Sequence, residues 1–566
     1  MKKLRWQLII ILLTGLVVGV ILLSEQPTIQ TVNSTPVPET GGVYTEALIG
    51  SMERLNPILD FYNPPDRDIN RVIYSSLLRF DSRGLPALDL AESWGISKDG
   101  TVYNFNLYAN ARWHDGKPLT TEDVVFTVNL LKNGGNFVPK DLQTLWSEVD
   151  VQALSDTMLQ FRLPEAFAPF QDYLNFGILP KHIFEGKNID QIASSEANLK
   201  PVGSGPYKVD RILVENSRIS GIALSIFDGY FKKKPFLQQI VFQYYPDGHA
   251  ALKAYQDGKV QGIAQVSADI LPQVLGTPGL AVYSSRMPEI YMVLFNHKDP
   301  QATFLKEPAV RRALMVGLNR QLMINRLLKG QAILANGPIM PDNWAYYSET
   351  EKFVYSPDTA NNMLRDAGYL PAADKSGVRK KGDVTLSLEL LYPEGDLYKA
   401  MAEQIASNWG AMGVQVTTNG VPYDELLNNR LDPRSYQAAL VSLNLSKSYD
   451  PDPYPFWDQA QMTGGQNYTQ WDNRIASEYL EQARMSADFA ERVHLYRNFQ
   501  VIFSQEMPAL PLFYPVDSYA VDRQVQGISV GPLYESSDRF ATITQWFLVA
   551  KKASASTVGI TPTPAK

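Results

Sequence analysis

The sequence of 566 residues contains no cysteine and only five histidines. Without cysteine the chain has no disulfide, thiolate nucleophile, cysteine-bound zinc or iron–sulfur cluster, and no N-terminal cysteine for lipid attachment. No two histidines lie three or four positions apart, so the sequence offers no local pair of imidazole metal ligands. We therefore expect neither a metal nor a cofactor.

The sequence also lacks an excess of positive charge and the short motifs of common active sites. Its 52 Lys and Arg against 59 Asp and Glu give a net charge of −7, which provides no basic surface for nucleic acid. It has no GxSxG, GxxxxGK[ST], GxGxxG or HExxH motif. We therefore predict that the protein is not an enzyme. A secreted hydrolase stays an alternative, because a pair of distant catalytic carboxylates has no local motif.

Only one long hydrophobic run is present, and it lies near the N-terminus. Residues 8–23 are almost wholly apolar and follow Lys2, Lys3 and Arg5, a pattern typical of an export signal. No small-residue cleavage site follows the run, which favours an uncleaved signal anchor over a cleaved signal peptide for residues 1–23. Because basic flanks stay in the cytoplasm, we expect a single-pass protein of the cell membrane. Its body would lie on the extracytoplasmic side, periplasmic or at the cell surface.

The remaining chain has polar ends and a long body of mixed secondary structure. Residues 24–42 are rich in Pro, Ser and Thr and predict a flexible linker, whereas residues 549–566 predict a disordered tail. Strand and helix patterns alternate irregularly in the body, which indicates an α/β protein with more than one sheet. Residues 384–418 predict a strand–helix–strand unit, and Thr120 with Asp123 predicts a capping box at a helix start.

A proline-rich, acidic and aromatic segment, SYDPDPYPFWDQ, lies at residues 448–459. Its prolines resist helix formation and hold Tyr449, Asp450 and Trp457 on a constrained loop. A loop of this kind would grip the cation and the apolar side chain of a ligand. The alternative is a structural connection in which Trp457 packs into the core.

Several short motifs are spread in a fixed order along the body. They are LL at 77–78, LAE at 90–92, WHDGKPLTTEDV at 113–124, GSGPY at 203–207, FNHKDP to GLNR at 295–320, SPDTANNMLRDAGY at 356–369 and ALPLFYP at 509–515. Together they resemble the family 5 extracellular solute-binding proteins, the peptide, dipeptide and nickel receptors of ABC importers. The resemblance covers residues 43–548, nearly the whole body.

The resemblance implies a two-lobed α/β clamp, the class II type of periplasmic binding protein, with an extra domain and the N-terminal hydrophobic helix ahead of it. Lobe 1 would comprise residues 43–285, include the extra domain at about 63–185 and be completed by 511–548. Lobe 2 would comprise residues 286–510. The two chain crossings near 285 and 510 would form a hinge between the lobes.

The resemblance also implies where a ligand binds. The residues that we predict to bind it are Ser51, Met52, Arg430, Asn444, Tyr449, Asp450 and Trp457. In peptide receptors of the family an aspartate holds the ligand's α-amino group, and aligning Arg430 puts Ser446 or Lys447 at that position. Because a neutral or cationic side chain cannot neutralise an ammonium, Asp450 is the candidate replacement. Backbone groups of residues 50–52 would pair with an extended ligand.

These features together predict an exported, membrane-tethered receptor. It would capture a ligand, an oligopeptide, between two lobes by hinge closure and deliver it to an ABC importer. Its partners would be a small peptide or other small solute, the ABC permease and ATPase complex, and the membrane through the N-terminal helix. We expect a monomer that binds no nucleic acid. The alternatives are a binding or sensing protein for a sugar or a metal chelate, and the secreted hydrolase.

Overall fold

The computed structural model describes residues 37–81, 83–372, 376–445, 449–531 and 533–551. The predicted N-terminal helix at residues 1–23 lies outside the described residues, as do most of the predicted linker, most of the predicted tail, and Ser446 and Lys447. Within the described part of the chain, no helix is both long and apolar enough to cross a membrane.

The chain divides into two compact units. The smaller unit contains strand β1, Val37–Glu39, which runs antiparallel to strand β23, Val549–Lys551. These residues fall in the ranges that the sequence predicts as linker and tail, and polar composition alone does not reveal that they pair. The larger unit, residues 40–548, holds the other described strands and helices.

The larger unit contains strands β2 to β22 and the α-helices among the described residues. In chain order the strands are Val43–Ile49, Leu78–Phe80, Pro86–Leu88, Ala91–Ile96, Val102–Leu107, Asp150–Ala153, Met158–Arg162, Tyr207–Glu215, Arg218–Ile226, Gln239–Tyr245, Gly262–Ile263, Leu280–Arg286, Glu289–Phe295, Ala332–Leu334, Leu370–Pro371, Arg379–Lys381, Val384–Thr385, Ser387–Pro393, Gln415–Val421, Ala438–Asn444 and Ala509–Asp522. The helices are Pro64–Ile73, Thr121–Lys132, Lys140–Glu148, Lys181–Phe184, Ile189–Ala193, Gly248–Gln256, Leu271–Gly276, Pro308–Val316, Arg320–Leu327, Pro357–Asp366, Asp396–Gly410, Tyr423–Leu426, Tyr454–Trp457, Arg474–Met485 and Phe489–Glu506.

One long strand, β22, connects the two halves of the main sheet. The strand order is β20-β19-β21-β14-β22-β12-β2-β11-β10-β9, and β13 and β15 also pair with β22. The first part of β22, Ala509 to Phe513, pairs with β14, and the last part, Val516 to Asp522, pairs with β13. Strands β13 and β14 follow each other along the chain. The chain therefore crosses between the halves at residues 287–288 and again within β22.

Each half has its own hydrophobic core. The first core contains Tyr44, Trp113 and Phe242 and is completed from the C-terminal side by Trp546. The core residues of the second half form two clusters, one around Trp409 and one around residues such as Trp457 and Phe503. The predicted two-lobed α/β fold is confirmed by this arrangement of two cores on one continuous sheet. The exact lobe boundaries, 43–285 and 286–510, stay predictions.

Two local predictions from the sequence are present in the structure. The backbone N–H of Thr120 donates to Asp123 Oδ2 at 2.9 Å, as expected at the start of helix Thr121–Lys132. This helix packs against strand β7 of the antiparallel sheet β5-β6-β8-β7 in the extra domain. In the second lobe, β19 and β20 run parallel and are joined by helix Asp396–Gly410, which is the predicted βαβ unit.

Candidate functional site

A cavity of about 530 Å³ lies between the two lobes. Most of its wall belongs to the first lobe and its extra domain, whereas Asn444, Tyr449 and Arg484 come from the second lobe. The volume falls within the range of about 300–1,000 Å³ that is usual for pockets that enclose small ligands. The cavity is therefore the candidate ligand site.

Four arginines line the cavity, and a carboxylate lies beside each of them. The nitrogen–oxygen distances are 3.5 Å for Arg67–Glu535, 2.8 Å for Arg71–Asp538, 2.7 Å for Arg79–Asp89 and 2.9 Å for Arg484–Asp452. Charge-assisted pairs of this kind hold the guanidinium groups in place and compensate their charge. The arginines therefore do not make the cavity positive.

Asp60 is a cavity-lining carboxylate of a different kind. It is only 6% exposed, and its Oδ2 accepts a 2.8 Å hydrogen bond from Asn70 Nδ2. The neighbouring Arg67 guanidinium donates to the backbone oxygens of Asp60 and Phe61 instead. Burial raises the pKa of Asp60 to about 7, and the charge of Arg67 opposes this shift only in part.

The extra domain supplies an apolar wall of the cavity. Its members are Leu142, Leu145, Trp146, Phe167, Tyr173 and Phe176. Helix Lys140–Glu148 and the 3₁₀ segment Ala168–Leu174 carry most of them. The Trp146 ring meets Phe176 edge-on, with 5.4 Å between ring centroids and 89° between planes. The cavity thus offers aromatic surface for an apolar group of the ligand.

Tyr449 and Asn444 are the two predicted site residues that line the cavity. The Tyr449 ring stacks on Phe80 at 3.8 Å and lies 4.0 Å from the Tyr534 ring, both of the first lobe. Its hydroxyl donates to Asp538 Oδ2 at 3.0 Å. Burial, together with the Asp538 charge, raises the Tyr449 pKa well above its usual range. Tyr449 therefore links the lobes as well as lining the space between them.

Asp450 lies next to Tyr449, but its carboxylate faces into the second lobe. It is 6% exposed, forms an ion pair with Arg492 and accepts a 3.0 Å hydrogen bond from the Tyr496 hydroxyl. Its backbone N–H donates to the Asp172 carboxylate of the first lobe. The negative charge that the sequence assigns to a ligand ammonium is compensated here by an arginine of the same lobe.

The other four predicted site residues lie away from the cavity wall. Trp457 is buried and packs edge-on against Phe503 with 4.8 Å between ring centroids, as in the structural alternative. Arg430 lies in the π-helical turn Leu427–Leu431, and its Nε is 3.3 Å from Glu425. The last two predicted residues, Ser51 and Met52, differ in their surroundings. Ser51 is exposed, and Met52 packs against the first core.

Sequence reasoning missed the cavity residues of the first lobe. Asp60, Asn70 and Arg71 carry no motif and lie in segments that resemble ordinary helix and turn. The aromatic wall has one sequence signal, the dense segment FAPFQDYLNF at residues 167–176. This signal is weak, because aromatic residues are equally common in hydrophobic cores.

Comparison with known proteins establishes the family. The bacterial extracellular solute-binding proteins, family 5 (middle region), match residues 86–467. The chain belongs to this family. It is 27% identical over 517 residues to the dipeptide-binding protein of Escherichia coli (strain K12), covering 86% of this chain and 91% of that protein. It is 26% identical over 521 residues to the oligopeptide-binding protein AppA of Bacillus subtilis (strain 168), covering 90% and 92%.

A solved structure supports the same assignment for this receptor. The ABC transporter substrate binding protein CtaP from Listeria monocytogenes is similar, with a TM-score of 0.70 and 26% identity over 90% of this chain and 100% of that one. The predicted resemblance and the prediction of a solute-binding receptor are therefore confirmed. Among the residues that the structure describes, no group of three or more His, Asp or Glu side chains is arranged to hold a metal ion.

Proposed function

We propose that this receptor captures a short peptide in the cavity between its lobes and delivers it to the permease and ATPase of an ABC importer. The observation that carries the proposal is the mixed wall of the cavity, where carboxylates and paired arginines face aromatic side chains. A peptide has charged ends, polar amides and apolar side chains, all of which such a wall can accommodate. Two relatives, a dipeptide-binding and an oligopeptide-binding protein, support it.

Closure of the lobes would couple ligand capture to delivery. Contacts that a ligand makes with both walls exist only in the closed state, so the ligand shifts the open–closed equilibrium towards closure. Residues 287–288 and the middle of β22 are the places where the chain passes between the lobes. The permease would recognise the closed form, and the energy for import would come from the ATPase.

The receptor itself would perform no covalent chemistry and would act as a monomer. Residues 1–23 would anchor it in the cell membrane by a single helix, with the body on the extracytoplasmic side. An anchor raises the effective concentration of the receptor near its permease without any new contact. It replaces the lipid attachment for which the chain has no cysteine.

Native mass spectrometry of the purified protein, followed by identification of released ligands, tests the peptide proposal. We expect a mixed population of short peptides. If the protein is purified empty, a thermal-shift panel of peptides, sugars and metal chelates replaces that measurement, and we expect only peptides to raise Tm. A single bound sugar or chelate, or a Tm that peptides leave unchanged, would contradict the peptide proposal.

Deletion of residues 1–36 tests the tether, because it removes the hydrophobic run and leaves β1 in place. We expect the shortened protein in the soluble fraction and the full chain in the membrane fraction. A shortened protein that stays in the membrane fraction would contradict the anchor.

The hydrolase alternative is tested by incubating the same protein with panels of peptides and glycans. We expect no product, and product that increases in proportion to protein concentration would revive the hydrolase alternative.

A further inference from the structure

We propose that Asp60 and Asn70 form the binding site for the cationic end of the ligand, the ammonium of a peptide N-terminus. This inference rests on the proposed function, because it names the ligand group that one corner of the same cavity would hold. It places the ammonium on the wall of the first lobe. The sequence had assigned that group to Asp450 in the second lobe.

The corner offers two hydrogen-bond acceptors. Both residues line the cavity and are almost fully buried, with 6% of Asp60 and 3% of Asn70 exposed. Asn70 Nδ2 donates to Asp60 Oδ2 at 2.8 Å, which fixes the orientation of the amide. The other polar atom of this amide, Asn70 Oδ1, is buried without a hydrogen-bond partner. A carboxylate and an unpaired carbonyl oxygen at one corner suit a ligand group that only donates.

The charge at this corner is also unbalanced. No cationic side chain of the described residues lies at ion-pair distance from the Asp60 carboxylate. Arg67, whose charge acts on Asp60, donates to the backbone oxygens of residues 60 and 61 and lies 3.5 Å from Glu535. A buried carboxylate without a cation is unfavourable, so an entering ammonium would relieve that cost. An ammonium has three N–H donors, enough for Asp60 and Asn70 Oδ1 together.

Among the described residues of the second lobe, Asp450 does not offer an equivalent group. The Asp450 carboxylate is occupied by Arg492 and Tyr496, both of which belong to the second lobe. Its backbone N–H is already bonded to Asp172. A ligand ammonium at Asp450 would have to displace an arginine, whereas at Asp60 it displaces no cation.

The burial of Asp60 gives the inference a pH signature. Burial raises its pKa to about 7; the groups that face it are Arg67 and Asn70, which lower it, and Glu535 and Asp66, which raise it. An ammonium binds the ionised carboxylate, so affinity should increase as the pH rises towards about 7. It should fall again above about pH 8, where a peptide α-amino group loses its proton.

Calorimetry with Ala-X-Ala tripeptides, where X is Ala, Phe, Lys or Glu, tests the inference on the unaltered full chain. Each peptide is titrated in its free and its N-acetylated form between pH 5.5 and 8. We expect the free peptides to bind about 30-fold more tightly or better, because acetylation removes one partner of a buried charge pair. This comparison does not depend on the folding of any variant.

The substitution Asp60→Asn keeps the shape of the side chain and removes its charge. We expect it to abolish most of the preference for free peptides and to flatten the pH dependence of affinity. Asp366→Asn, at an exposed carboxylate outside the cavity, is the control and should change affinity by no more than about threefold. Equal binding of free and acetylated peptides, or equal losses in both variants, would overturn the Asp60 site and leave the peptide receptor intact. Failure of every peptide to bind folded protein would overturn the proposed function as well.

Discussion

Asp450 shows that the neighbours of a residue decide its role. In the sequence it is a prominent carboxylate on a proline-rich loop, available for a ligand cation. In the structure its charge is compensated by Arg492, which is 42 residues away along the chain. Asp60, which carries no motif, is a buried, cavity-lining carboxylate with no cationic side chain at ion-pair distance among the described residues. The ligand-binding role of Asp450 stays a prediction.

We expect Asp450→Asn to lower the free energy of unfolding by about 3–5 kcal/mol, because it leaves the buried Arg492 charge without its partner. Urea unfolding followed by circular dichroism measures this change. Asp366→Asn is the control, since Asp366 pairs with Arg365 at an exposed site and should cost less than about 1 kcal/mol. Unchanged stability together with lost ligand affinity would instead give Asp450 the ligand-binding role.

The buried Asp60 should also make stability depend on pH. Its pKa of about 7 in the folded state lies above the unfolded value, so the folded state binds more protons between about pH 4 and 7. This contribution to stability is fully present below about pH 4 and is lost as the pH rises through 7. Asp60→Asn should remove up to about 4 kcal/mol of that pH dependence in urea unfolding from pH 4 to 8. An identical pH profile in both proteins would contradict the raised pKa.

The GSGPY segment at residues 203–207 passes close to the backbone of another part of the first lobe. The Gly205 N–H donates to Ile73 O at 2.7 Å, at the end of helix Pro64–Ile73. A Cβ atom on Gly203 would lie 2.1 Å from the same oxygen. The motif therefore holds the helix that carries Asn70 and Arg71 against the rest of the first lobe.

We expect Gly203→Ala to destabilise the protein by about 3 kcal/mol, the upper end of the usual cost of overpacking, because the added carbon meets backbone rather than a movable side chain. Thermal unfolding measures the loss. Gly95→Ala is the control, since a Cβ there meets no atom within 4 Å and should leave Tm nearly unchanged. Equal Tm values for the two variants would show that this close backbone contact can relax.

Tyr449 contributes contacts that hold the two lobes together. Its ring contacts Phe80 and Tyr534 of the first lobe, and its hydroxyl donates to Asp538 of the same lobe at 3.0 Å. The Arg484 guanidinium adds a second contact, 5.1 Å from the Phe167 ring centroid. These side chains therefore stabilise the contact between the lobes.

We expect Tyr449→Ala to shift the ligand-free protein towards the open state by about tenfold, because it removes the ring contacts and the hydrogen bond to Asp538. Small-angle scattering should show a larger radius of gyration. Tyr423→Ala, at a side chain that is 65% exposed, should leave the radius unchanged. An unchanged radius in Tyr449→Ala would show that other contacts keep the lobes closed.

The family, the α/β class and several local structures could be predicted from the amino-acid sequence alone. The capping box at Thr120 and Asp123 and the βαβ unit at residues 384–418 could be predicted because they depend on residues close together in the chain. The motif order was sufficient for the family, because many weak signals combine.

The side chains that form the site could be identified only from the folded protein. Asp60, Trp146 and Tyr449 are far apart in the sequence, and they reach one cavity because the first lobe, its extra domain and the second lobe close around it. The structure also decided which charges are compensated. Pairing depends on distance in space, and burial then determines the cost of a charge without a partner.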